Sequence, residues 1–344
     1  MYLPIALVST DWHLKSTNLN TIKRLVAFQC QLANKYDLEY IICLGDVFDS
    51  RISQRMDVFN AFFDILEICR EYKIMLVCIP GNHDKTDYLS EMSFLRPFQT
   101  HEYLYLIEDY QVFPVGKYHF HFIPYFLEDE KYLEYLEKVE YKGDDILFSH
   151  IAVRGSRNND GETVDNKLTV DLFKGFVAVY FGHYHNYQMV ADGIYHLPAI
   201  CQDNFGEDEK KGYTLIYSGR EFQIIKSDTK KYETVRIDLG KYNDLYAIKK
   251  LLKDYDPQEK HIRLVFSGAK NQIASINKNR LEEQGYVVET KDEAIAQSMT
   301  VVKNNSFTQY NQKHIVQLFG KFCDMKSVPF DEGSTFLNLV FNQV

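Results

Sequence analysis

Tyr40-Ile41-Ile42-Cys43-Leu44-Gly45-Asp46-Val47-Phe48-Asp49 decides the fold of this 344-residue chain. An apolar run passes into a glycine and two aspartates, the pattern of a buried strand that ends in a polar turn. The pattern recurs four more times within the first 185 residues. Ile5-Ala6-Leu7-Val8 leads to Asp11-Trp12-His13, and Met75-Leu76-Val77-Cys78-Ile79 leads to Gly81-Asn82-His83-Asp84. Ile146-Leu147-Phe148 leads to Ser149-His150, and Val177-Ala178-Val179-Tyr180-Phe181 leads to Gly182-His183-Tyr184-His185. Polar residues at the carboxyl ends of buried strands are where open α/β sheets build their sites.

Taken together, the five clusters supply ligands for two metal ions. Carboxylate oxygen, amide oxygen and imidazole nitrogen suit manganese, iron or zinc, and the lack of thiolates argues against a structural zinc site. Two ions about 4 Å apart need a group that touches both, and a carboxylate has two oxygens for that purpose. Asp46 is the natural bridge. Such a clamp holds a phosphate, lowers the pKa of a bound water and stabilises charge on the phosphoryl oxygens. A histidine left free of metal could protonate the departing oxygen. Singly, each cluster reads more readily as a turn or a capped loop, since Gly and Asn tolerate positive φ. Their order along the chain, each after a strand, is what points to metal.

The series resembles the calcineurin-like metallophosphoesterase superfamily. That resemblance implies that Asp11, His13, Asp46 and His185 hold one metal, and that Asp46, Asn82, His150 and His183 hold the other. It also implies that His83 faces the leaving oxygen, with Asp49 or Asp84 steadying it from behind. Manganese is the metal it implies first, with magnesium, iron(II) and zinc as alternatives. No ligand of the pattern is missing, which sets the chain apart from non-catalytic scaffolds of the superfamily.

Gly45-Asp46-Val47-Phe48-Asp49-Ser50-Arg51 and Ser149-His150-Ile151-Ala152-Val153-Arg154-Gly155 are similar, more narrowly, to the SbcD-type subunit of the SbcC–SbcD nuclease and its archaeal, eukaryotic and phage relatives. The likeness implies a DNA exonuclease and endonuclease, acting on ends and single strands beside an SbcC-like ABC-type ATPase with a coiled coil. A homodimer is left open. The length is closer to phage members than to cellular ones. Asp49 stands where some archaeal members have histidine. A stand-alone phosphatase or nucleotide phosphodiesterase is the competing expectation.

The remainder of the chain bounds these expectations. The composition, 45% hydrophobic and 25% charged, is that of a globular protein. No basic leader opens the sequence and no apolar run reaches membrane-spanning length, so a cytoplasmic protein with no membrane partner is expected. Cys30, Cys43, Cys69 and Cys78 fall in apolar periodic segments and read as buried free thiols of a reducing compartment. The net charge of −9 gives no bulk electrostatic drive toward DNA. Residues 241–344 carry 14 Lys+Arg against 12 Asp+Glu, which leaves 25 against 36 for residues 1–240.

Apolar spacing predicts helices over residues 20–35 and 56–72, then a series of short strands from about residue 103 to 237. The expected fold is a mixed α/β two-sheet sandwich with helices outside, spanning residues 1–240. The polar stretch 154–166 is either a rim of the site or a solvated loop. Residues 241–295 read as a small α/β capping module, with a helix over 243–253, a strand over 261–266, a helix over 271–284 and a strand over 285–289. Residues 296–344 read as a helix pair. Tyr310, His314, Leu318, Phe319 and Phe322 share one face, and Phe336, Leu337, Val340 and Phe341 share another. These faces would grip the coiled coil of the ATPase or pack on the chain's own core.

Overall fold

The computed structural model describes residues 3–85, 92–159, 161–242 and 245–292, with isolated positions 319, 323 and 330. Two sheets of six strands dominate. The first has the order β12-β11-β1-β2-β3-β4, built from β1 (Ala6–Ser9), β2 (Tyr40–Cys43), β3 (Met75–Cys78), β4 (Leu104–Leu106), β11 (Gly212–Ile216) and β12 (Phe222–Lys226). Strands β1 to β4 run parallel, and β11 joins β1 antiparallel. The second has the order β5-β6-β7-β8-β10-β9, from β5 (Gln111–Val115), β6 (Tyr118–Ile123), β7 (Asp145–His150), β8 (Ala178–Gly182), β9 (Gln188–Ala191) and β10 (Ile194–His196). Its central strands β6, β7 and β8 are also parallel.

Alternation along each strand decides which layer a side chain enters. Ala6 and Val8 of β1, Ile42 of β2, and Ile146 and Phe148 of β7 fill one core between the sheets. The intervening Leu7, Ile41 and Cys43 face outward, where α1 (Leu19–Lys35) and α2 (Met56–Tyr72) cover them with Ile22, Leu25, Val26, Phe62, Ile65 and Leu66. On the far side, Leu147 and Val179 pack with Tyr132 and Leu136 of α3 (Asp129–Glu137). Burial on both faces is why these strands read as continuous apolar runs. The layering is helix, sheet, sheet, helix, and the expected two-sheet α/β core is present. Cys30, Cys43, Cys69 and Cys78 lie buried in it as free thiols.

No continuous apolar stripe marks α3 in the sequence. Its acidic first turn hides in a polar stretch, and only Tyr132 and Leu136, one helical step apart, are fully buried, with Leu133 and Tyr135 packed at the edge of the core.

The chain divides into two compact units, Met1–Thr234 with Asp254–Arg263, and Val235–Lys253 with Leu264–Val344. A third sheet has the order β13-β14-β15, from β13 (Tyr232–Asp238), β14 (His261–Gly268) and β15 (Val287–Asp292). Helix α4 (Leu245–Leu252) precedes β14. Where one helix over 271–284 is expected, there are two short ones, α5 (Lys270–Ala274) and α6 (Lys278–Glu283). Asn277 makes the break, since its side chain accepts the N–H of Arg280 and caps α6. The last strand begins at Val287 rather than 285, because Gly285 adopts φ +97° and belongs to the turn. Apart from those isolated positions, the helix pair expected over 296–344 lies outside the described residues. No helix among those described is long and apolar enough to cross a membrane.

Candidate metal centre

All the predicted ligands converge at the carboxyl ends of the two sheets. Asp11 and His13 follow β1, Asp46 follows β2 and Asn82 follows β3; His150 ends β7, and His183 and His185 follow β8. The turns continue to pair past the strands: Asp11 N donates to the Gly45 carbonyl and His13 N to the Asp46 carbonyl, each at 3.0 Å. Space between the turns is tight. A Cβ on Gly45, which sits at φ +89°, would lie 2.4 Å from the Gly81 nitrogen, so only glycine fits. Asp11, His13, Asp46 and His183 also have positive φ, at 52°, 44°, 51° and 90°. Backbone strain of this kind is held by surrounding structure and concentrates at functional sites.

Two groups of side chains meet at Asp46. In the first, His13 Nε2 and His185 Nε2 face each other at 3.0 Å. Asp11 Oδ1 lies 4.0 Å from the former and 3.9 Å from the latter. In the second, Asn82 Oδ1 lies 3.1 Å from His150 Nε2 and 2.8 Å from His183 Nδ1. One oxygen belongs to both, since Asp46 Oδ2 is 3.8 Å from His13 Nε2 and 3.4 Å from His150 Nε2. The ring of His150 is fixed from behind, where Nδ1 donates to the Leu44 carbonyl at 2.6 Å and turns Nε2 toward the cluster. Oxygen and nitrogen donors aimed at two adjoining points, with one shared carboxylate, fit a pair of divalent ions.

Electrostatics follow from burial. Desolvation pulls the His13 imidazole down, but Asp49, Asp46 and Asp11 outweigh it and carry the pKa up to about 9. Desolvation likewise pulls His150 down, and Asp46 and Asp11 bring it to about 9. Asp46 is driven up by burial, yet His150, His13 and His83 hold it well below the usual carboxylate range. Carboxylates thus gather positive charge at the centre, protons here or metal ions when bound.

His83 stands beside this pair. Its Nε2 is 3.9 Å from Asp46 Oδ2 and 2.7 Å from an Arg51 guanidinium nitrogen, and its Nδ1 donates to the Asp49 main-chain carbonyl at 2.6 Å. Burial, the largest cause, sets its pKa below the ordinary value against the pull of Asp46. Asp49 therefore holds His83 through its backbone, while its carboxylate turns to His13 Nδ1 at 3.5 Å and Lys15 Nζ at 3.6 Å. Asp84 does not approach the His83 ring. Its carboxylate accepts the N–H groups of Gly81, Val47 and Phe48 at 2.9, 3.2 and 2.9 Å and ties together the turns that carry Asp46 and Asn82. Burial and the charge of Asp46 push its carboxyl up to about 7, against those three donors.

Several site residues escaped the sequence reading. Glu207 lies 2.6 Å from His185 Nδ1. Lys15 pairs with Asp203. Asn159 Oδ1 accepts the His185 N–H at 3.1 Å, so the polar stretch 154–166 does reach the site. None of these follows a strand within a motif, and a charged loop residue carries no local sign that it folds inward.

A model of the calcineurin-like phosphoesterase family matches residues 5–187, more than half of the chain. A protein of Invertebrate iridescent virus 6 named as a phosphoesterase, 244L, is 20% identical over 290 residues, covering 79% of this chain and 96% of its own. Among solved structures, a dimetal phosphatase from Danio rerio overlaps with a TM-score of 0.39 at 13% identity, over 65% of this chain and 99% of that one. Nuclease MPE of Pseudomonas putida overlaps with a TM-score of 0.32 at 15% identity, over 63% of this chain and 86% of that one.

Proposed function

This chain belongs to the calcineurin-like phosphoesterase family and is a metal-dependent phosphoester hydrolase; we propose that its substrate is DNA and that it works as the nuclease subunit beside an SbcC-like ATPase. The observation that carries the hydrolytic part is the Asp46 carboxylate shared by two ligand groups. The DNA part draws on the likeness of residues 45–51 and 149–155 to the SbcD-type subunit. Manganese is the proposed metal, with magnesium, iron(II) and zinc as alternatives.

Asp11, His13, Asp46 and His185 would hold one ion, and Asp46, Asn82, His150 and His183 the other. Bound there, the ions would supply an activated water and Lewis-acid stabilisation of the phosphoryl oxygens. The chain's own groups do the rest. Asp84 and the glycines hold the turns in register, so the ligands are aimed before substrate arrives. The Asp49 carbonyl fixes the His83 ring, and Arg51 lies against its Nε2. In hydrolysis the water oxygen bonds to phosphorus, the bond to the leaving oxygen breaks, and that oxygen takes a proton. His83 and Arg51 would face it.

Residues 241–295 are proposed to help admit DNA ends, and residues 304–344 to bind the ATPase. The purified chain with manganese should cut linear duplex or single-stranded DNA and be silenced by a chelator. Cleavage of chromogenic phosphomonoesters or small phosphodiesters with no action on DNA would replace this reading with a phosphatase or nucleotide phosphodiesterase.

A further inference from the structure

The segment Gln202-Asp203-Asn204-Phe205-Gly206-Glu207-Asp208-Glu209-Lys210-Lys211 between β10 and β11 looks in sequence like a solvated charge run. Two of its ions are folded inward instead. Glu207 is 7% exposed and Lys211 only 2%. Glu207 Oε1 lies 2.6 Å from His185 Nδ1 and accepts Asn204 Nδ2 at 2.8 Å, and Oε2 accepts the Asp203 N–H at 3.2 Å. Lys211 Nζ lies 3.7 Å from Oε2 and donates to Asn186 Oδ1 at 2.7 Å and Asp208 Oδ1 at 3.3 Å. Gln202 Nε2 clamps the Glu207 carbonyl at 3.1 Å. Burying a carboxylate and an ammonium is costly unless both are satisfied, and here each is.

We propose that Glu207, backed by Lys211, is a positioning residue that sets the tautomer of His185 and makes its side of the centre the stronger metal site. The proposal rests on reading these residues as metal ligands but on no particular substrate. A carboxylate can only accept, so the 2.6 Å contact assigns the proton to His185 Nδ1. The Nε2 lone pair is then presented toward Asp11 and His13, as ligation requires. His150 is oriented in the same way, but by the neutral Leu44 carbonyl. An anionic partner makes the imidazole a stronger donor than a neutral one does, so the two halves of the centre are unequal.

Glu207→Gln separates these roles because it keeps the shape and removes the charge. Nitrogen NMR of the full-length, metal-free protein labelled at histidine reads the tautomer directly. His185 should show Nδ1–H in the wild type and a mixture in Glu207→Gln. Calorimetric titration with manganese or zinc should show one site weakened by about 10- to 100-fold in the variant and the other unchanged. Lys211→Gln should keep the tautomer and weaken the same site by less. An Nε2–H tautomer in the wild type overturns the proposal, and so does a variant with both affinities intact. Should Glu207→Gln fail to fold, the wild-type tautomer and the Lys211→Gln titration still decide. Failure to cut DNA would refute the substrate reading and leave these results standing.

Discussion

At the scale of single residues, the shared oxygen of Asp46 and the flanking position of His83 make different demands. Asp46→Asn removes a charge that both ligand groups use, so it should abolish hydrolysis and resist rescue by excess manganese. His13→Ala strips one ligand from one side; it should lose roughly a hundredfold in rate and recover in part at high manganese. Rates measured across a manganese series test both, and equal rescue of the two variants would refute the bridging role. His83→Gln should abolish cleavage while metal content, read by elemental analysis, stays whole. Loss of about half the metal would make His83 a ligand. The candidate ligands were legible because each follows a strand and so falls inside a short local motif. Glu207, Lys15 and Arg51 were not, since what recruits them is a loop's path in three dimensions. The choice between Asp49 and Asp84 as the support of His83 illustrates the boundary. Sequence places both near His83, yet only the structure shows one acting through its carbonyl and the other on the turns.

At the scale of elements, the turns after β2 and β3 are locked by Asp84, and β10 is locked to the 154–166 loop by His196. Asp84→Asn would set an amide donor against backbone N–H groups, costing about 1–3 kcal/mol. A lowered urea midpoint with unchanged slope would register it. His196 is fully enclosed; its Nδ1 donates to the Gly182 carbonyl at 3.0 Å and its Nε2 lies 2.9 Å from Ser156 Oγ. Burial, the main cause, helped by His150, lowers its pKa from 6.5 to about 3 against the pull of the Gly182 bond. Between those values the unfolded chain binds the proton and the folded one does not, so stability falls as pH drops below 6.5. The slope from this one group is at most about 1.4 kcal/mol per pH unit. His196→Gln should remove that slope. Urea unfolding of metal-free protein at pH 7, 6 and 5 gives the comparison, and parallel curves for wild type and variant would discard the buried neutral imidazole. Most strands and both long helices were readable from period alone. Helix α3 and the break at Asn277 were not, because a single-turn apolar face and a single capping side chain are weaker signals than a continuous stripe.

At the scale of the whole molecule, metal should bind the folded state only, so a chelator should lower the melting temperature as well as stop hydrolysis. Ligand at a hundred times its dissociation constant adds about 2.7 kcal/mol. A melting curve that ignores the chelator would mean the centre is not loaded. Truncation after Asn304 should leave basal metal-dependent cleavage and remove co-purification with the ATPase; an insoluble product would place those residues in the chain's own core. The candidate ligands also come from both sheets. Asp11, His13, Asp46 and Asn82 follow strands of one, while His150, His183 and His185 belong to the other. An ion held by both would therefore tie the two layers together at their carboxyl ends. Metal-loaded protein should then exchange the amides of β1, β2, β7 and β8 more slowly than metal-free protein, so that one small ion sets how often the two layers breathe.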